Sequence, residues 1–216
     1  MNNSENRYIY LIFSHTDTHM GSLIRAVTGF EFNHVSVSLS DKLNPIYSFA
    51  RHYKDTPFYG GFVKESSARF IGDSKYAIVK ICAIPVDEEQ YLKANQYIYR
   101  LEKQCDQYIY NLASAAVFPF HINVHIEQAF TCIEFATELL RHAAIRRSNL
   151  IPHFCSIRTL ERIYNKFAIY RGKLPYGAGT APESDDYLRR NGLGYHMLHA
   201  AKNGGLLLYR MFLRYN

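Results

Sequence analysis

Phe130-Thr131-Cys132-Ile133-Glu134-Phe135-Ala136-Thr137-Glu138-Leu139-Leu140 reads as a helix whose start is fixed by its own side chains. Thr131 followed three residues later by Glu134 is a capping box: the Thr hydroxyl and the Glu carboxylate each satisfy an orphan N–H of the first turn. Cys132 is then the first helical residue. Unpaired amides and the positive end of the helix dipole favour an anion there, an environment that promotes a nucleophilic thiolate. Phe135, Ala136, Leu139, Leu140 and Ala143 recur at helical spacing and predict one buried side, with the helix running to about His142. A small buried cysteine of purely packing character fits the same local pattern, so the chemistry has to be argued from elsewhere in the chain.

Far upstream, Phe32-Asn33-His34-Val35-Ser36-Val37-Ser38-Leu39 predicts a strand that opens on a histidine. Val35, Val37 and Leu39 alternate with His34, Ser36 and Ser38, so one face is apolar and the other carries the imidazole. The turn cluster Asp41-Lys42-Leu43-Asn44-Pro45 returns the chain into Ile46-Tyr47-Ser48-Phe49-Ala50. With residues 40 and 46 paired, Ser48 projects from the same face as His34.

In this order of parts the chain resembles the circularly permuted, YiiX-like branch of the NlpC-type papain-fold cysteine peptidases, relatives of lecithin:retinol acyltransferase. There a strand opening His-Val comes first, a polar residue on the next strand orients the histidine, and the cysteine follows much later at a helix N-terminus. His34-Val35, Ser48 and Thr131-Cys132 match that order, within a resemblance covering roughly residues 8 to 172. Ser48 stands where the family more often carries His, Asn, Gln or Glu, and His52 shares its parity. The resemblance implies an α+β papain-like fold with an antiparallel sheet packed against the cysteine helix. It further implies a cysteine hydrolase with Cys132, His34 and Ser48 as catalytic residues and no cofactor. Substrates implied are amides of peptide or cell-wall type, or lipid and other esters on the acyltransferase side.

With 216 residues, 48% of them hydrophobic, one core or one core plus an appendage is expected. The four cysteines, at 82, 105, 132 and 155, form no C-x-x-C pair and suggest neither a disulfide framework nor a zinc cage. A reducing, cytoplasmic location fits them. Met1 to Arg7 is polar, and the apolar run Tyr8 to Phe13 is too short for a signal sequence or a membrane span. A formal charge of +6 is a mild basic excess common among globular chains and calls for no nucleic-acid partner. His15 and His19, like His121 and His125, stand at i, i+4 without a third ligand, so no metal is expected.

The remaining pattern predicts a strand over Tyr8–Phe13, a short helix near Thr18–Val27 and a Gly60-Gly61 turn re-entering a strand at Val63-Lys64-Glu65. An interior strand over Tyr76–Ile84 follows, closed by Pro85. Tyr91, Ala94, Ile98, Leu101 and Cys105 mark the apolar stripe of a surface helix whose first turn is acidic. A small-residue helix near Asn111–Val117, a capped helix over Ser156–Ile163 and a last strand over Phe167–Tyr170, ended by Gly172, complete a catalytic domain of residues 1–174. Residues 175–216 form a Gly/Pro linker and a basic amphipathic extension, broken into two short helices at Gly204-Gly205. The extension docks on the core, on a second subunit or on a membrane surface. A non-catalytic binding module built on the same fold is the alternative from a different functional class.

Overall fold

A computed structural model describes residues 7–16, 29–56, 58–66, 69–70, 76–175, 186–189 and 191–212. The fold is α+β: one mixed eight-stranded sheet in the order β7-β6-β4-β3-β2-β1-β5-β8, with five α-helices among the described residues. The strands are β1 (Arg7–Ser14), β2 (His34–Ser38), β3 (Ile46–Arg51), β4 (Gly60–Glu65), β5 (Tyr76–Val86), β6 (Ile109–Tyr110), β7 (Ala129–Phe130) and β8 (Ala168–Pro175). The helices are α1 (Glu88–Lys103), α2 (Leu112–Val117), α3 (Cys132–His142), α4 (Ile157–Tyr164) and α5 (Leu193–Phe212).

All neighbouring strands pair antiparallel except β6 and β7, which run parallel with Tyr110 beside Phe130. The expected all-antiparallel sheet is thus corrected at one short pair, where the chain loops through α2 before returning alongside itself. β1 is an interior strand, apolar from Tyr8 to Phe13, and both of its faces are covered. Ile9, Leu11 and Phe13 join the larger core with Phe135, Leu139 and Leu140 of α3 and Ala94, Tyr97, Ile98 and Leu101 of α1. Tyr10 and Ile12 face the other way, onto Ile46, Phe70, Val79 and Ile81.

Several boundaries differ from the sequence expectation. β5 runs through Pro85, which pairs with Tyr8 on one side and lies beyond the last β8 partner on the other, so its missing N–H interrupts no inner ladder. β8 continues through Gly172 to Pro175 with a register shift opposite Ile81/Cys82. Gly60 and Gly61 are not a turn but the first residues of β4. A Cβ on Gly60 would stand 2.6 Å from the Ala50 carbonyl oxygen, and one on Gly61 would stand 2.5 Å from that of Tyr108. Cys105 leaves the helical stripe because α1 ends at Lys103; its thiol is exposed in the following turn. The helix expected near residues 18–27 and most of the linker lie outside the described residues.

The extension is a single 20-residue helix that passes through Gly204-Gly205 unbroken and docks on the core. Asn203 donates to the Gly60 carbonyl at 3.0 Å, Leu207 joins Ile109, Ile126 and Ala129, and Arg210 donates to the carbonyls of Gln107, Glu127 and Gln128. No helix among the described residues is long and apolar enough to cross a membrane.

Candidate active site

The capping box at the start of α3 forms as expected: the Glu134 amide donates to Thr131 Oγ1 at 3.3 Å, and the Thr131 amide donates to Glu134 Oε2 at 2.6 Å. Glu134 also accepts from Ser114 Oγ at 2.9 Å and Asn111 Nδ2 at 3.4 Å, which ties the helix start to α2. Cys132 is therefore held as the first residue of α3, buried at the end of the main core. Its own N–H, like every first-turn amide, has no intrahelical acceptor.

His34 opens β2 opposite Ser14 of β1. The residue before it is anchored: the Thr16 amide donates to Asn33 Oδ1 at 2.8 Å, and Asn33 Nδ2 donates back to the Thr16 carbonyl at 2.9 Å. The imidazole lies beside two groups. Nε2 meets Glu65 Oε1 at 2.8 Å, and the Cys132 sulfur is near enough to act on the charge of the ring. Burial opposes the imidazolium, but the Glu65 carboxylate and the Cys132 sulfur outweigh it and raise the His34 pKa to about 10. For Glu65 burial likewise opposes the charge. His34, the Ser36 hydroxyl and Arg69 overcome that opposition and lower its pKa. Ser36 Oγ donates to Glu65 Oε2, so both carboxylate oxygens are engaged.

Glu65 thus occupies the place expected for Ser48. The register of Val37 with Tyr47 sets Ser36 opposite Ser48, where the expected pairing of residues 40 and 46 sets Ser38. Ser48 is fully buried, 0% exposed, and its hydroxyl donates to the Val35 carbonyl at 3.2 Å. A hydroxyl on so short a stem cannot reach the imidazole from there, whereas a glutamate on the strand beyond can. His52 is not a substitute either. It stacks on Tyr59 at 4.5 Å, in a second hollow of about 540 Å³ under α5. Burial, then Arg69 and His199, press its pKa down to about 4.

Cys132, His34 and Glu65 line a cleft of about 510 Å³, a common size for a small-molecule site. Its walls are largely apolar: Phe49, Phe58, Leu112, Phe118, Ile133 and Ile157. Arg51 and Lys54 give one side a positive charge, and Tyr187, from beyond the linker, closes part of the wall. Tyr187 is only 4% exposed; its hydroxyl accepts from Arg51 at 3.0 Å, and its carbonyl accepts the Lys54 amide at 2.8 Å. Tyr110 also lines the cleft. Burial, reinforced by the neighbouring Cys132 and Glu134, pushes its phenol pKa upward, so it remains a neutral donor.

Sequence reasoning missed Glu65, Tyr110 and Tyr187. The only local mark of Glu65 is a carboxylate ending a strand, and that strand lies one beyond the neighbour of β2. No cluster of three or more His, Cys, Asp or Glu with metal-binding placement occurs among the described residues. No family model, curated protein or solved structure matches the chain.

Proposed function

We propose that the chain is a cysteine hydrolase of permuted NlpC-type, papain-like architecture, acting on an amide or ester carbonyl through a thioester on Cys132. The observation that carries this reading is a buried histidine held between a helix-start cysteine and a carboxylate, inside a cleft. His34, whose raised pKa favours the imidazolium, holds the Cys132 proton in a thiolate–imidazolium pair, and the sulfur attacks the carbonyl carbon. As the tetrahedral intermediate collapses, the imidazolium returns that proton to the departing amine or alcohol. Water or a second alcohol, deprotonated by the same imidazole, then breaks the thioester. Glu65 holds the ring and supports its charge throughout. The Cys132 N–H serves this reading as the oxyanion donor, and the neutral Tyr110 hydroxyl, which lines the same cleft, as a second.

The substrate class proposed is an amide of peptide or cell-wall type. The apolar cleft wall favours the second reading, an apolar acyl group carried as an ester, with hydrolysis or transfer to an acceptor alcohol. Both share the thioester, so one experiment tests the mechanism. In a Cys105→Ser background, the protein is treated with p-nitrophenyl octanoate and with a chromogenic peptide amide, and intact mass and peptide mapping locate the adduct. A Cys132 adduct that vanishes in Cys132→Ser and forms on the order of 10²-fold more slowly in His34→Ala is expected. A folded protein with no adduct at Cys132, or with one indifferent to His34→Ala, sinks the proposal in favour of a non-catalytic binding module.

A further inference from the structure

The face of α5 turned away from the core is apolar. Met197 is 65% exposed, Leu198 68%, Leu208 53%, Tyr209 57% and Phe212 63%. Gly194, Ala201 and Gly205 are exposed as well, and Lys202 at the flank is the one charged side chain exposed on this helix among the described residues. A monomer gains nothing from presenting such a surface to water. The residues follow the alternating four-three spacing of a helix–helix seam: Gly194, Leu198, Ala201, Gly205, Leu208, Phe212.

The seam is also symmetric by size. Its centre is Asn203, the residue that anchors the opposite face to Gly60. Ala201 and Gly205 lie two residues to either side, Leu198 and Leu208 five, Gly194 and Phe212 nine. Two copies of the helix laid antiparallel about a two-fold axis therefore match small against small at the centre, leucine against leucine next, and glycine against phenylalanine at the ends. Met197 and Tyr209, six residues to either side, match in the same way.

The glycines carry a second, independent point. Gly is a poor helix former, second only to Pro, yet α5 places several of them inside. Nothing within the chain requires them: a Cβ on Gly194, Gly204 or Gly205 would meet no atom within 4 Å. Gly194 and Gly205 lie on the seam, where the lack of a side chain lets a partner helix approach closely.

We infer that α5 is a self-association surface, which pairs antiparallel with α5 of a second copy of this chain to form a two-fold dimer. The operator is closed, since the same patch serves both subunits and no open chain of contacts results. A helix of 20 residues gives a seam about 30 Å long, burying on the order of 1,200 Å², the low end of stable interfaces. Dissociation in the micromolar range is accordingly expected.

Sedimentation of the full chain between about 1 and 200 μM measures this. The expected result is a monomer–dimer equilibrium that Gly205→Gln shifts to monomer by at least about 30-fold, with an unchanged circular dichroism spectrum. Leu208→Glu should do the same. For orientation, Leu198→Cys and Leu208→Cys are made separately in the Cys105→Ser background and oxidised. The mixture should give a crosslinked dimer, whereas each variant alone should not. A protein that stays monomeric at about 200 μM overturns the proposal, as does a dimer indifferent to both seam variants or equal crosslinking by each variant alone. A monomer that instead binds phosphatidylcholine–phosphatidylglycerol vesicles through α5 also overturns it, in favour of a lipid surface.

Discussion

His34 has opposite pH sensitivity to the carboxylate that holds it, and the pair defines a window. The folded His34 pKa lies at about 10, above the ordinary 6.5, so its contribution to stability is full below 6.5 and is lost as pH rises through 10. The folded Glu65 pKa lies below the ordinary 4.5, so its contribution is present above 4.5 and is lost as pH falls through the lowered value. Glu65→Gln removes the charge from both limbs. Melting temperature against pH should flatten at each end, and the His34 ring resonances should titrate at lower pH than in the wild type. An unmoved His34 titration would show that Glu65 does not set its charge. Cysteine reactivity separates in the same way. Burial pushes the Cys82 and Cys155 thiols up to about 12, so neither should react with iodoacetamide in the folded protein. Cys105, exposed, and Cys132, beside His34, should both react, but only the Cys132 rate should fall in His34→Ala. Tyr110→Phe should slow acyl transfer to Cys132 by about 10-fold without moving the melt, if its hydroxyl serves the oxyanion. His34 and Cys132 were legible because one marks a strand and the other a helix start through local sequence. Glu65 was not, because its role depends on a side chain reaching across a third strand, a distance that period-2 alternation does not encode.

Elements bear out the local reading wherever a single chain segment decides the outcome. α3 begins at its capping box and ends at His142, and α4 starts after its Ser156 cap, as their sequences predict. Failures occur where another element intervenes. Gly60-Gly61 signals a turn by composition, yet both glycines are fixed by the backbones of β3 and of the Tyr108 segment pressing on them. Because a backbone carbonyl cannot swing aside, Gly61→Ala should destabilise the fold by about 1–3 kcal/mol in denaturant unfolding. The Gly204-Gly205 break fails to appear for the opposite reason: docking through Asn203 and Leu207 on one side outweighs weak helix propensity. The N-terminal half of α5 is held more loosely, by a column of rings. His52 stacks on Tyr59, and Tyr59 packs on His199 at 4.6 Å, with Arg69 bearing on His52. The His52 pKa is depressed to about 4, so the stability it contributes is present above 6.5 and is lost as pH falls toward 4. Protection of the α5 amides against hydrogen exchange, relative to their intrinsic rates, should accordingly fall between pH 7 and 5 more than in β1 or α3. An equal fall in all three would show that the column does not couple α5 to acid.

Across the whole molecule, the main core and the cleft draw on different parts of the chain. Among the described residues the cluster around Phe135 and Leu139 reaches no further than Phe167, whereas the cleft wall includes Tyr187 and the smaller cluster at Ile109 includes Leu206, Leu207 and Met211. Deleting residues 183–216 should therefore leave a cooperative melt at a temperature lower by several degrees, while the emptied cleft wall weakens substrate binding more than it slows acylation. A truncated protein with no cooperative transition would show the core to extend past the linker. The order of parts along the sheet carries a further consequence. Strands β1 to β5 form the contiguous block β4-β3-β2-β1-β5, complete by Val86, and His34, Ser36 and Glu65 all belong to it. A chain emerging from the ribosome can therefore assemble the base and its carboxylate before α3 is synthesised. On the proposed mechanism the thiol arrives last, beside a histidine and carboxylate already in place, and the unfinished polypeptide carries no activated nucleophile while it waits.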